Sequence, residues 1–182
     1  MEIEKLGKEY DLTVDWRPFF LRPETPPEGS PLPAYVRERM KDPNDPLKRR
    51  AEREGLKMVR RDFVPSTRRA HEAAEFARAR GKLEPMHAEL LKAYWTEGKD
   101  LYSFDVLREA AVRGGLDPDE LQRELEKGTY RAAVEEGVRE AHEVGIHAVP
   151  TFIFDDQLAV QGAQELPVFR LAMQQLGAKP SK

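Results

Sequence analysis

The feature that most constrains the fold is a change from helix to buried strand within residues 145–155. A polar amphipathic pattern ends at Gly145, and glycine is the usual residue just past a helix because it adopts positive φ freely. Pro150 then precedes three consecutive large apolar residues, 152–154, which indicate a strand covered on both faces. Because proline has no N–H, it belongs at the first residue of such a strand. From the residues alone, the bond between Val149 and Pro150 is either trans, the common form, or cis, which tight turns favour.

Composition narrows the class of protein. A chain of 182 residues is long enough for a hydrophobic core, and we expect one domain. The formal net charge of −3 gives no general electrostatic case for nucleic acid, and 35% charged residues of both signs indicate an ion-pair-rich surface. Asn44 is the only asparagine and there is no cysteine, which indicates a thermophile. Without an apolar run near 18 residues or an apolar N-terminal signal, we expect a cytoplasmic protein with no membrane partner.

The absence of cysteine limits the chemistry. Thiol-disulfide exchange needs an attacking thiolate, so the chain as given has no catalytic residue for that reaction. His71, His87 and His142 lie on separate predicted helices without ligand spacing, so we expect no metal site. His147 lies in the loop before Pro150 and is either a solvent-facing residue or a binding residue that titrates near neutrality.

A few strands are predicted around a long helical region. Apolar and polar residues alternate at 12–16, which predicts a half-buried strand. Residues 151–154 and 158–160 predict a hairpin joined by a tight turn. Residues 56–64 read as a loop with some strand character.

Residues 33–144 predict a series of unequal helices, and cap-plus-proline pairs such as Asp45-Pro46 and Asp117-Pro118 begin two of them. Further helices are predicted from Ser66 or Thr67, over 83–95, from Ser103, over 130–144 and over 167–176. The residues predicted to face inward on the last two helices are Ala133, Val134, Val138 and Ala141, and then Val168, Leu171, Ala172 and Leu176.

Five short motifs occur in a fixed order. They are Trp-Arg-Pro-Phe at 16–19, Pro-Pro-Glu-Gly at 26–29, Pro-Ser-Thr-Arg-Arg-Ala-His at 65–71, the stretch 145–154, and Val-Gln-Gly-Ala-Gln at 160–164. Together they resemble the DsbA-like thioredoxin-fold proteins, and most closely the FrnE-type thiol-disulfide oxidoreductases. The resemblance implies an α/β, thioredoxin-like single domain over 1–182, with its core at 1–32 and 145–182 and a large helical insertion at 33–144.

The resemblance also implies a binding site. In that family the bond equivalent to Val149–Pro150 is cis and faces a redox-active Cys-x-x-Cys. The implied substrate-binding residues are His147, Ala148, Val149, Pro150 and Thr151, whose backbone would pair with an extended peptide or a thiol substrate. No cofactor is implied, although glutathione is possible.

The family's first strand, which ends in Cys-x-x-Cys, has no counterpart in this sequence. Met1 would lie partway along the helix that follows it, so we expect the natural protein to begin about 15–25 residues upstream. Otherwise the chain rearranges to close the gap, or a second copy completes the sheet in a homodimer.

Three functions remain. The first is a FrnE-like disulfide oxidoreductase represented by a shortened chain, and the motif at 160–164 favours it. The second is a glutathione-dependent isomerase or transferase of the 2-hydroxychromene-2-carboxylate isomerase kind. The third is a non-catalytic peptide-binding module, which is the literal reading of a chain without cysteine.

Overall fold

The computed structural model describes residues 2–59 and 61–181, which form nine helices and four short strands. In chain order these are α1 (Glu2–Leu6), β1 (Ser30–Pro31), α2 (Ala34–Lys41), α3 (Pro46–Arg53), β2 (Phe63–Val64), α4 (Arg68–Arg78), α5 (Leu83–Trp95), α6 (Phe104–Arg113), α7 (Pro118–Lys127), α8 (Arg131–Glu143), β3 (Thr151–Phe154), β4 (Leu158–Gln161) and α9 (Leu166–Gln175). The strands pair as two antiparallel sheets, β1 with β2 and β3 with β4. None of the helices in the described part of the chain is long and apolar enough to cross a membrane.

The chain falls into two compact units, Met1–Leu21 with Gly137–Lys182, and Arg22–Glu136. These boundaries differ from those expected from the sequence, and the single domain stays a prediction. Each unit has its own hydrophobic cluster, so each is described by itself.

Two helices of the unit Arg22–Glu136, α3 and α7, begin at an aspartate whose side chain caps the helix. The Asp45 carboxylate accepts the N–H of Leu47 at 3.0 Å, which caps α3. The predicted cap of α7 is confirmed too, because the Asp117 carboxylate accepts the N–H groups of Asp119 and Glu120. The helix predicted over 83–95 is confirmed as α5. Thr67 occupies the N-cap position of α4 but forms no side-chain capping bond.

Small residues let the helices of this unit approach closely. The buried cluster comes from α4 to α7 and the loops between them, and Phe76 is its largest side chain. The Phe76 ring meets Tyr130 edge-on, with centroids 6.0 Å apart. The buried alanines of the cluster are Ala70, Ala73, Ala77, Ala93, Ala110 and Ala111.

The unit Met1–Leu21 with Gly137–Lys182 is built on the β3–β4 hairpin. Phe152 packs edge-on against Phe169 of α9, with ring centroids 4.9 Å apart. Leu6 of α1 and Val160 of β4 complete the cluster with Phe169, so this face of the hairpin is covered. Ile153 belongs to the other face of β3 and is 47% exposed.

The strand predicted at residues 12–16 is not formed. Within residues 2–59 and 61–181 this segment has no strand partner, and alternation alone does not hold a strand. The adjacent residues instead lie along α8. A Cβ at Gly137 would come within 2.7 Å of the Pro18 ring, and the Phe19 ring is tilted against that of His142 with centroids 5.4 Å apart. At 56–64 the strand is limited to Phe63–Val64, and position 60 lies outside the described residues.

Two predicted helix faces were only partly right, and Ala172 of α9 is buried as predicted. In α9, Val168 and Leu171 are 39% and 54% exposed, while Phe169 and Met173 are buried. The two apolar stripes on α9 are adjacent, and the one with the aromatic ring and the methionine faces the hairpin and α1. In α8 the predicted Val134 is buried at 2% exposure, but Ala133 is exposed.

Candidate functional site

The predicted binding loop begins where α8 ends. Gly145 has φ of +79°, the left-handed conformation that closes a helix C-terminus. Its N–H donates to the carbonyl of His142 at 3.0 Å, and the N–H of Ile146 donates to the carbonyl of Ala141 at 2.9 Å. The carbonyls in the last turn of a helix have no partner within the helix, and these two bonds satisfy two of them. They also fix the start of the loop.

The other end of the loop is held by two further hydrogen bonds. The Val149–Pro150 peptide bond is cis, the geometry that the family resemblance implies. The Thr151 hydroxyl donates to the carbonyl of Ala148 at 2.7 Å, and the N–H of Gly162 donates to the carbonyl of Pro150 at 2.8 Å. The carbonyls on both sides of Val149 are therefore occupied.

Val149 itself is free to bind. Its N–H and carbonyl form no hydrogen bond with any other described residue, and its side chain is 46% exposed. Pro150 and His147 are also exposed, whereas Ala148 and Thr151 are half-buried. The structure thus brings the five predicted binding residues together in one short segment whose main-chain donor and acceptor at Val149 are unused.

The hairpin pattern shows which groups of β3 are unpaired. Because the N–H of Gly162 bonds to the carbonyl of Pro150, the bonded pairs alternate from that point along the hairpin. The N–H and carbonyl groups of Thr151 and Ile153 therefore point away from β4, and no other described residue bonds to them. We call these four groups the β3 edge.

His147 has a neighbour that sequence reasoning missed. The chain reverses at Gly145 and returns His147 over the last turn of α8, where its ring centroid lies 6.5 Å from that of His142. The sequence did contain a signal for this contact. His142 lies in the last turn of the helix and His147 follows Gly145 by two residues, so both histidines are near the same helix end. Within the described part of the chain, no group of three or more potential ligands could hold a metal ion.

The other predicted histidines lie in the unit Arg22–Glu136. His71 lies on α4 and His87 on α5, and burial lowers the pKa of His87. Both residues lie on helices of that unit, outside the segment 146–151.

A buried carboxylate on α4 was also missed. Glu72 is 6% exposed, and its Oε2 atom has no hydrogen-bond partner among the described residues. The Nε atom of Arg131 is 4.0 Å from Oε1. Burial raises the pKa of Glu72, and the positive charge of Arg131 opposes that rise. The alanine stripe of α4 gave no signal that a carboxylate would be buried beside it.

The chain was compared with known protein families and proteins. A family model described as the DSBA-like thioredoxin domain matches residues 1–174. The uncharacterized protein YwbO of Bacillus subtilis is 29% identical, in an alignment that covers 93% of this chain and 85% of that protein.

Two solved structures are similar. The probable DsbA oxidoreductase of Streptomyces coelicolor is 30% identical, with a TM-score of 0.78, over 91% of this chain and 76% of that one. A 2-hydroxychromene-2-carboxylate isomerase is 19% identical, with a TM-score of 0.75, over 96% of this chain and 86% of that one, which shows the fold alone. The α/β thioredoxin-like fold predicted from the sequence is confirmed, and the chain belongs to the DSBA-like thioredoxin domain family.

Proposed function

We propose that these residues form the substrate-binding part of a protein thiol-disulfide oxidoreductase of the DsbA type, similar to the FrnE subgroup. The substrate is an extended peptide or a thiol substrate, and it binds at residues 147–151. The observation that carries the proposal is the unused N–H and carbonyl of Val149, exposed between two anchored carbonyls. Membership in the family and the similarity to a probable DsbA oxidoreductase support it.

The loop is suited to main-chain recognition. A single antiparallel residue beside Val149 can exchange two hydrogen bonds with it, donor to acceptor in both directions. The bonds that anchor Ala148, Pro150 and Ile146 already order the loop, so little conformational entropy is lost when a peptide binds. Main-chain pairing selects an extended backbone and tolerates many sequences, as an oxidoreductase for diverse proteins requires.

The step that these residues perform themselves is binding. Exchange requires a thiolate, and none of the 182 residues is a cysteine. The thiol that reduces a bound disulfide would therefore come from outside these 182 residues.

A binding assay with matched variants tests the proposal. The probe is a fluorescein-labelled, cysteine-free extended peptide, and fluorescence anisotropy measures its affinity. Thr151→Val removes the hydrogen bond that anchors Ala148 and should weaken binding about 5-fold, equivalent to about 1 kcal/mol. Thr129→Val is the control, because it removes a hydroxyl bond of the same length, 2.7 Å, to Glu124 on another surface. No binding by the native chain, or equal losses in both variants, would contradict the proposal.

The alternative ligand is glutathione, whose peptide backbone can use the same groups of Val149. A glutathione-dependent isomerase or transferase would bind glutathione more tightly than the extended peptide. Calorimetric titration with reduced glutathione separates the two functions: no heat supports the peptide site, and tight binding that Thr151→Val weakens supports the isomerase function.

A further inference from the structure

We propose that Arg22, Arg61 and Tyr94 form a binding site for a phosphate group, either inorganic phosphate or the phosphate of a small ester. All three residues belong to the unit Arg22–Glu136. The inference does not depend on the proposed function, because none of the residues 147–151 takes part in it. It follows from two guanidinium groups that lie near one phenol hydroxyl and have no carboxylate partner among the described residues.

Arg61 is a cation that packing, not an ion pair, holds in place. It is half-buried, and its guanidinium lies over the Phe63 ring with Cζ 4.5 Å from the ring centroid. A Cβ at Gly98 would lie 3.9 Å from the Cγ atom of Arg61, so the loop after α5 packs close to the stem of this side chain. The Nη1 atom is buried and has no hydrogen-bond partner among the described residues. Such a donor calls for an acceptor, and a bound anion is one that can supply it.

Tyr94, near the end of α5, lies beside both arginines. Its side chain is half-buried and packs against the core cluster of this unit. Burial raises the pKa of Tyr94, whereas the positive charges of Arg61 and Arg22 act to lower it. Because such an effect falls off with distance, both guanidinium groups lie near the same hydroxyl. A main-chain bond of 2.7 Å from the Val59 N–H to the Trp95 carbonyl ties the end of α5 to the segment that leads to Arg61.

The two arginines are like charges without a neutralising partner. Arg22 is half-buried and, like Arg61, forms no ion pair with any other described residue. Like charges close together repel each other, and partial burial strengthens that repulsion because less water screens it. An anion bound between the two guanidinium groups replaces the repulsion with two attractions and accepts hydrogen bonds from their N–H groups.

The donors and their charge select phosphate among anions. The forked guanidinium groups match the spacing of phosphate oxygens, and the Tyr94 hydroxyl adds a third donor. A phosphate monoester presents three acceptor oxygens and a charge of about −1.5 to −2 near pH 7. Two arginines balance that charge, whereas a single carboxylate would leave about one positive charge unpaired. We therefore expect phosphate to bind more tightly than acetate.

Calorimetric titration of the full chain tests the inference. The probes are inorganic phosphate, glycerol 3-phosphate and acetate, at about pH 7.5, where phosphate carries most of its second charge, and at an ionic strength held constant with sodium chloride. We expect one phosphate site per chain with a Kd of about 0.1–1 mM. Tighter binding of glycerol 3-phosphate would identify an ester as the ligand, and tighter binding of inorganic phosphate would identify the free ion. No saturable heat with either phosphate, or acetate binding as tightly as both, would overturn the inference.

Matched variants show whether these three residues hold the phosphate. Arg61→Met and Arg22→Met each remove one cation and should weaken binding at least about 10-fold, and Tyr94→Phe should weaken it about 5-fold. Arg37→Met is the control, because Arg37 is exposed on α2, has no ion pair with a described residue and carries the same charge.

Circular dichroism checks that each variant is folded, and the two arginines lie on different segments, so either one tests the site if the other variant does not fold. Native affinity in a folded Arg61→Met or Arg22→Met chain would overturn the inference. An equal loss in Arg37→Met would do so too, because it would mean that phosphate responds only to the net charge of the chain.

Discussion

The buried carboxylate of Glu72 makes a strong prediction about stability. We predict that Glu72→Met stabilises the protein at neutral and alkaline pH. Glu72 is 6% exposed, and one of its oxygens has no hydrogen-bond partner among the described residues. Its nearest cation, Arg131, stands 4.0 Å away with a side chain that is 63% exposed, so removal of the carboxylate leaves no buried positive charge.

The size of the expected gain in unfolding free energy follows from the missing hydrogen-bond partner of the Glu72 Oε2 atom. A buried polar atom without a hydrogen bond costs about 1–3 kcal/mol, and methionine fills a similar volume without polar atoms. The pKa of Glu72 is raised by burial, so the folded state binds a proton more readily than the unfolded state does. The native protein therefore loses stability as pH rises from the unfolded pKa to the raised folded pKa, and the full penalty applies above both. The advantage of Glu72→Met should be about 1–3 kcal/mol at pH 8 and should shrink towards acid pH.

Equilibrium unfolding in guanidinium chloride at about pH 8 and pH 4, followed by circular dichroism, measures the effect. Glu75→Met is the control on the same helix, because Glu75 is paired with Arg78 at 2.9 Å. We expect the control to be neutral or destabilising. A Glu72→Met protein that is less stable than the native protein at pH 8 would refute the reasoning, because it would mean that the carboxylate is satisfied.

Three further predictions concern local interactions and chemistry. Gly145→Ala places a Cβ in open space but at φ of +79°, so it should cost about 1–2 kcal/mol of stability, and an unchanged melting temperature would argue against this conformation. Asp117→Ala removes the cap of α7 and should lower the melting temperature at pH 7. Bonds from the N–H groups of Glu120 and Asp119 lower the pKa of Asp117, so the difference should disappear as pH falls through that lowered pKa, and a difference that persists in acid would contradict the cap. The 182-residue chain should reduce insulin no faster than the blank in a turbidity assay with dithiothreitol, and any excess rate would show that the thiolate argument is wrong.

Features that depend on a few neighbouring residues could be predicted from the sequence. Asp45 and Asp117 precede prolines, and both cap the helices that follow them. Gly145 ends the segment before the binding loop for an equally local reason, the freedom of glycine at positive φ. The loop residues therefore fall together in the structure because they are contiguous in the chain.

Features that depend on distant partners could not be predicted. The alternation at residues 12–16 describes a segment able to form a strand, but pairing requires a second strand that the described residues do not provide. The buried face of α9 was predicted only in part, because periodicity does not choose between adjacent apolar stripes. Contacts with α1 and the hairpin make that choice in favour of Phe169 and Met173.

The central claim is that Val149 offers its main chain to an extended ligand, and amide hydrogen exchange tests it most directly. The exchange rate of the Val149 N–H is measured in dilute protein, with and without a saturating cysteine-free peptide. We predict that this amide exchanges fast in the free protein and becomes protected when the peptide binds. An amide that is equally exposed in both states, with protection elsewhere in the chain, would contradict the account.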